Sequence, residues 1–131
     1  MSNKMLIIGA RGMVGQQAVQ YFSKEFDVIA LSKMDLSVTD MSEIKRIFDR
    51  LKPYIVLNCS VIRNDRCLID TQLAREVNAE GVRNLAIQCQ KSNAVLVQLW
   101  EIWRQFCTQN TTPNSVKAGN PYYRRSIWQP D

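Results

Sequence analysis

Three glycines at a spacing of three carry the clearest chemical signal in this chain. They lie in Gly9-Ala10-Arg11-Gly12-Met13-Val14-Gly15, directly after the apolar run Met5-Leu6-Ile7-Ile8. Gly9 permits a tight turn out of a strand. Gly12, lacking a Cβ, lets a pyrophosphate come close to the backbone. Gly15 lets the following helix pack tightly on the sheet. The positive end of that helix then faces the phosphates. Glycines alone are a weak signal. A strand before them and a helix after them supply the context that dinucleotide binding requires.

The identity of the dinucleotide is written at the end of the second strand. An acidic residue there holds the ribose hydroxyls of NAD. This chain has Ser32-Lys33 instead, and Arg11 stands in the glycine loop. A hydroxyl and two cations favour a 2′-phosphate, and so NADP, with NAD as the alternative.

Other chemistries are bounded by what the chain lacks. It has no histidine, which removes Ser-His and Cys-His nucleophile systems and His-based zinc sites. Cys59, Cys67, Cys89 and Cys107 form no CxxC pair, and no metal site is expected. With no secretory leader legible, they read as reduced thiols of a cytoplasmic protein. No stretch is long and apolar enough for a membrane span, so no membrane partner is expected. The net charge is +5, but the basic residues are scattered, with no dense run beyond Arg124-Arg125. They read as a solvated surface or as partners of an anionic cofactor, and nucleic acid is not expected as a partner.

The elements that must position the glycine loop follow from periodicity. Met5–Ile8, Asp27–Leu31, Ile55–Cys59 and Ala94–Val97 are short apolar runs suited to buried parallel strands. Val14–Lys24 has apolar residues at helical spacing. Asp40, three residues before Glu43, starts a second helix like a capping box; that helix buries Ile44, Ile47, Phe48 and Leu51 and stops before Pro53. Asp70 or Thr71 opens a long helix with Leu73, Val77, Leu85, Ala86 and Cys89 on one face. The alternation βαβαβαβ predicts an α/β fold, a Rossmann-like doubly wound parallel sheet with right-handed crossovers.

At 131 residues the chain suffices for one domain, yet its composition breaks near residue 98. All three tryptophans, six of eleven aromatics and three of four prolines fall after that point. The expected organisation is a dinucleotide-binding domain over 1–98 and an atypical tail over 99–131. The tail's Leu99–Phe106 is expected to form a helix over the sheet edge, the alternative being a brief continuation of the preceding strand. Its Trp100, Trp103 and Phe106 could dock a partner or a neighbouring subunit, giving a homo- or hetero-oligomer.

The first 98 residues resemble the dTDP-4-dehydrorhamnose reductases of the extended short-chain dehydrogenase/reductase superfamily. The resemblance rests on the GxxGxxG loop, on Asp35-Leu36-Ser37-Val38-Thr39-Asp40, and on Lys52-Pro53-Tyr54-Ile55-Val56-Leu57-Asn58-Cys59-Ser60. It also rests on Asp65-Arg66 and, most closely, on Val77-Asn78-Ala79-Glu80-Gly81-Val82-Arg83-Asn84-Leu85-Ala86. It implies a pyrophosphate on the backbone of Gly12, Met13 and Val14, and the ribose at Ser32. It implies adenine on the Asp35 carboxylate and the Leu36 amide. Ser60, Val61 and Ile62 would line the nicotinamide side, with Asn78 supporting the loop behind them.

The resemblance also implies catalytic groups that this sequence does not carry. The family uses a Ser/Thr after the fifth strand and a Tyr-x-x-x-Lys pair. The tyrosine passes a proton to the substrate carbonyl as hydride arrives, and the lysine lowers its pKa. Here Val97-Gln98 runs into Leu99-Trp100-Glu101. Ser126 stands four residues after Tyr122 and Ile127 four after Tyr123. The expectation is a truncated reductase-like chain that binds the dinucleotide without catalysis, the dTDP-sugar being a substrate only of complete members. The alternative is a non-catalytic, cofactor-binding partner subunit, similar to the regulatory β subunit of methionine adenosyltransferase.

Overall fold

The structure is a computed structural model, and it describes residues 3–62 and 70–99. Four strands, β1 (Lys4–Ile8), β2 (Asp27–Leu31), β3 (Ile55–Asn58) and β4 (Val95–Gln98), form one all-parallel sheet in the order β2-β1-β3-β4. β1 is central and its run Met5–Ile8 is buried throughout. This is the environment in which a strand reads as continuously apolar rather than alternating.

Helices cover both faces. On one, α1 (Met13–Phe22) brings Ala18, Val19 and Phe22 against Met5, Ile7 and Leu57. On the other, α2 (Met41–Leu51) inserts Ile44, Ile47 and Phe48 above Leu6, Ile8 and Val56. Asp40 caps α2 by accepting from the amides of Ser42 and Glu43, and Lys52, at φ 48°, ends it before Pro53. The expected capping box closes differently. Glu43 Oε2 accepts from the Ser37 amide at 3.1 Å, so it braces the incoming loop instead of the cap residue.

The expected long helix is composite. Asp70 caps α3 (Thr71–Arg75) through the Leu73 amide; a π-helical turn over Glu76–Glu80 follows, then α4 (Gly81–Ser92). The buried stripe of α4 is Gly81, Leu85, Gln88 and Cys89. Ala86 is exposed, because one residue further along rotates the side chain by about 100°, out of the Leu85–Cys89 stripe. β3 ends at Asn58 and β4 starts at Val95, each within a residue of the sequence reading.

The described residues all belong to one compact unit. The expectations for Asp65-Arg66, Cys67, Cys107 and the tail from Trp100 onward lie outside the described residues. No described helix is long and apolar enough to cross a membrane.

Candidate functional site

Strand order reverses direction at β1, and in open α/β sheets a ligand binds at the carboxyl edge at such a point. That edge is where the glycine loop sits. The amides of Gly9 and Ala10 both donate to the Leu31 carbonyl (3.0 and 3.1 Å), and Cys59 donates to Ile8 (2.8 Å), so the ends of β1, β2 and β3 are tied together. Gln16 Nε2 donates to the Arg11 carbonyl at 2.8 Å and holds the far side of the loop.

The three glycines are not equivalent. Gly9 has φ +76°, and a Cβ there would lie 2.7 Å from Cys59 C and Ser60 N. On Gly15 a Cβ would lie 2.1 Å from the Gly9 carbonyl oxygen and 2.8 Å from Ala10 Cα. Both positions are demanded by the fold itself. A Cβ on Gly12 would meet one atom, Gly9 O at 3.3 Å, and Gly12 has an ordinary extended backbone (φ −67°, ψ 165°). Packing therefore gives a weaker reason for glycine at 12 than at 9 or 15, since the 3.3 Å contact asks only a small adjustment of the Gly9 carbonyl. Space kept open for something outside the chain would supply a further one.

What that something would be follows from α1. Gly12 caps the helix without a side-chain hydrogen bond, and the first turn carries no acidic residue. The first-turn amides of Met13, Val14 and Gly15 donate to no group among the described residues. An uncapped helix start with a bare backbone before it favours an anion. Met13 and Val14 themselves are exposed, so they offer backbone there and not packing.

Beside the loop, over β2, lies a cleft of about 380 Å³ lined by Ala10, Arg11, Gln16, Val19, Ala30, Ser32, Met34 and Asp35. Arg11, Ser32 and Asp35 come together as the sequence suggests; Lys33 is exposed and does not line the cleft. Asp35 Oδ2 accepts from both the amide and the hydroxyl of Ser32, each at 2.8 Å, and Ser32 Oγ accepts from the Met34 amide at 3.2 Å. The Ser32 hydroxyl proton is thus already engaged. Leu36 is turned into the core, and its amide donates to the Ser32 carbonyl at 3.1 Å. The groups left to meet a ligand at this end are Asp35 Oδ1, the Arg11 guanidinium and the Met34 side chain, which is 84% exposed at the lip. A thioether there suits a flat apolar ring face.

The hydrogen bonds from the Ser32 amide and hydroxyl, with the Arg11 charge, hold the Asp35 carboxyl below its ordinary 3.8. A depressed carboxyl keeps its network above the ordinary value and loses it as pH falls through the lowered one. The Ser32 amide resonance should therefore titrate with a midpoint below 3.8, and Asp35→Asn should abolish the titration. A midpoint at or above the ordinary value would contradict the geometry. Neither cysteine among the described residues is a ready thiolate. Burial pushes the Cys89 thiol up to about 11 and raises that of the half-buried Cys59.

On the β3 side, Ser60, Val61 and Ile62 leave the sheet as a half-buried segment. Asn78, buried in the π-helical turn, accepts from the Ile62 amide at 2.8 Å and donates to the Ile62 carbonyl at 3.1 Å. Asn84 Nδ2 donates to the Val38 carbonyl at 3.1 Å and ties α4 to the strand–helix loop. Sequence reasoning missed Gln16, Met34, Asn84 and the pair Asn58–Gln98. Gln16 was legible as a polar residue one turn into a helix after a glycine loop. The others need the tertiary pairing.

Comparison with known proteins gives this geometry a family. The model of the RmlD substrate binding domain matches residues 3–100. A dTDP-4-keto-6-deoxy-D-glucose reductase from Streptomyces niveus is 31% identical over 101 residues, 76% of this chain and 35% of its own length. A dTDP-4-dehydrorhamnose reductase from Mycolicibacterium smegmatis is 32% identical over 101 residues, 76% of this chain and 30% of its own. The crystal structure of dTDP-4-dehydrorhamnose reductase from Bacillus anthracis, in complex with NADP, superposes with a TM-score of 0.68 at 28% identity, covering 73% of this chain and 35% of that one. The chain spans about a third of the length of the curated relatives it matches.

Proposed function

The chain belongs to the RmlD family and is related to the dTDP-sugar reductases of the extended short-chain dehydrogenase/reductase superfamily, and on that premise we propose that residues 3–99 form a dinucleotide-binding half-fold that takes NADPH without itself reducing a sugar. The open space at Gly12, before first-turn amides of α1 that have no partner among the described residues, is the observation that carries this reading. The residues present fit the cofactor in three places. The backbone of Gly12, Met13 and Val14, with Gly9 and Gly15 shaping the turn, would receive the pyrophosphate. The cleft of Arg11, Ser32, Met34 and Asp35 would take the adenosine. Ser60, Val61 and Ile62, backed by Asn78, would lie beside the nicotinamide.

When bound, NADPH supplies a hydride for a carbonyl. The relatives named above are reductases of dTDP-linked keto sugars. The Tyr-x-x-x-Lys pair that the resemblance implies as proton donor for such a step does not occur in this sequence. Reduction of a dTDP-4-keto-6-deoxy sugar by the 131-residue chain above background would refute the non-catalytic part of the proposal.

Preference for NADPH over NADH rests on Arg11. Ser32 already donates its hydroxyl proton to Asp35 and Lys33 does not line the cleft, so the guanidinium is the cleft cation able to meet a 2′-phosphate. A charge-assisted contact of this kind corresponds to about a tenfold change in affinity or more. Titration followed by NADPH fluorescence should give tighter binding of NADPH than NADH. Arg11→Ala should lose about tenfold for NADPH and leave NADH unchanged. Equal affinities in the unsubstituted chain would remove the NADP assignment, and no binding of either would remove the site.

A further inference from the structure

Asn58 closes β3 with a side chain that is 0% exposed, at a position where the preceding residues Ile55, Val56 and Leu57 are all apolar. A buried primary amide is tolerated only when its donors and acceptor find partners. Here the partners form a chain across the carboxyl edge. Gln98 stands directly opposite Asn58 in the β3–β4 register. Asn58 Nδ2 donates to Gln98 Oε1 at 2.8 Å, and Gln98 Nε2 reaches the Leu99 carbonyl at 3.3 Å. The other end of the Asn58 amide, Oδ1, accepts from the Ser60 amide at 3.0 Å.

That last bond falls at a sensitive place. Ser60 N is one of the atoms that a Cβ on Gly9 would strike, so the Cys59–Ser60 peptide packs directly on the first glycine of the loop. Two residues later, Asn78 takes both backbone groups of Ile62. The Ser60–Ile62 segment is thereby fixed at each end by a buried amide, and the amide at its start is itself oriented from β4. With the cleft over β2 suited to the adenosine half, the other half of a dinucleotide crossing β1 must lie over this segment.

We propose that Gln98 is a positioning residue that, through Asn58, sets the Ser60 backbone and so fixes the half of the dinucleotide lying over β3. The inference rests on the dinucleotide-binding reading above. It divides the site into two separately supported halves: an adenosine side held by the Ser32–Asp35 turn, and a second side held by the Asn58–Gln98 pair.

The test compares NADPH with adenosine 2′,5′-bisphosphate, which carries the adenosine half alone, on the full chain and on Gln98→Leu and Gln98→Glu. Gln98→Leu leaves Asn58 Nδ2 without its acceptor and should weaken NADPH about tenfold with the bisphosphate unchanged. Gln98→Glu keeps the acceptor for Asn58 Nδ2 but gives up the donor to the Leu99 carbonyl, and should restore NADPH binding in part. If Gln98→Leu does not fold, the unbranched Gln98→Met should show the same split. NADPH binding unchanged in the apolar variant, or an equal loss of both ligands, overturns the positioning role while leaving the dinucleotide reading in place. Failure of the unsubstituted chain to bind either ligand overturns that reading and this inference together.

Discussion

Gly15→Ala should strongly destabilise the chain, whereas Gly12→Ala, three residues earlier, should fold normally and fail to bind NADPH. The first expectation follows from distance. A methyl 2.1 Å from the Gly9 carbonyl oxygen, with Ala10 Cα at 2.8 Å, meets backbone on the central strand's own exit and cannot be relieved by a side-chain rotation. Overpacking in a rigid setting costs about 1–3 kcal/mol, sometimes more, and this contact belongs at the upper end. A single domain has a net stability of only about 5–15 kcal/mol, so a large part of it would go. Gly12→Ala meets one atom at 3.3 Å and exchanges glycine for alanine at a helix N-cap, a loss of about 1 kcal/mol at most. Thermal unfolding and a cofactor titration on the two variants separate the effects. Equal destabilisation by both, or full NADPH binding by Gly12→Ala, would mean that the spacing serves only a strand–turn–helix junction.

Phe48→Ala carries the second large effect, a loss of about 3–5 kcal/mol. Phe48 is the largest fully buried side chain among the described residues. It sits on α2 in the cluster that includes Leu6, Ile8, Leu31, Val56 and Leu85. The same cluster contains Leu36 and Val38, the residues through which the chain leaves the Ser32–Asp35 turn. That turn depends on the core beneath it as well as on its own hydrogen bonds. Denaturant unfolding should show the stability loss. In the fraction still folded, adenosine 2′,5′-bisphosphate should bind more weakly, since the Asp35 carboxylate loses its fixed support. A folded variant that binds the bisphosphate as tightly as the unsubstituted chain would show the turn to be self-sufficient.

The scaffold of the site was legible because its signals are local. Met5–Ile8 is too short for a helix and too apolar for an exposed strand. Asp40 before an amphipathic run, and Pro53 after it, mark both ends of α2 within the chain's own chemistry. The glycine spacing marks the strand–turn–helix junction, where the proposed phosphate end of the site lies, without any tertiary information. The relation to the reductase family was legible as well, and the most closely matched stretch turns out to contain Asn78 and Asn84, each of which fixes a distant backbone segment.

The parts that were not legible depend on pairing between segments. The π-helical turn shifts the helical phase between Val77 and Leu85, so a single apolar stripe drawn through both put Ala86 inside and left Gln88 out. Ser32 looks available from sequence; its hydroxyl is engaged because the next turn brings Asp35 back onto it. Leu36 likewise becomes a core residue with its amide already donated. Asn58 and Gln98 are forty residues apart, and only the β3–β4 register makes them partners. A polar residue ending each of two strands is an ordinary sequence feature until the strands are adjacent.

The most direct test of the central claim is an amide NMR titration of the full chain with NADPH. The resonances of Gly12, Met13, Val14 and Gly15 should shift first and most, accompanied by those of the Ser32–Asp35 turn and of Ser60–Ile62. Saturating NADPH that leaves the Gly12–Gly15 amides unmoved, whatever else it shifts, would contradict a pyrophosphate at the start of α1 and with it the account of this chain as a dinucleotide-binding half-fold.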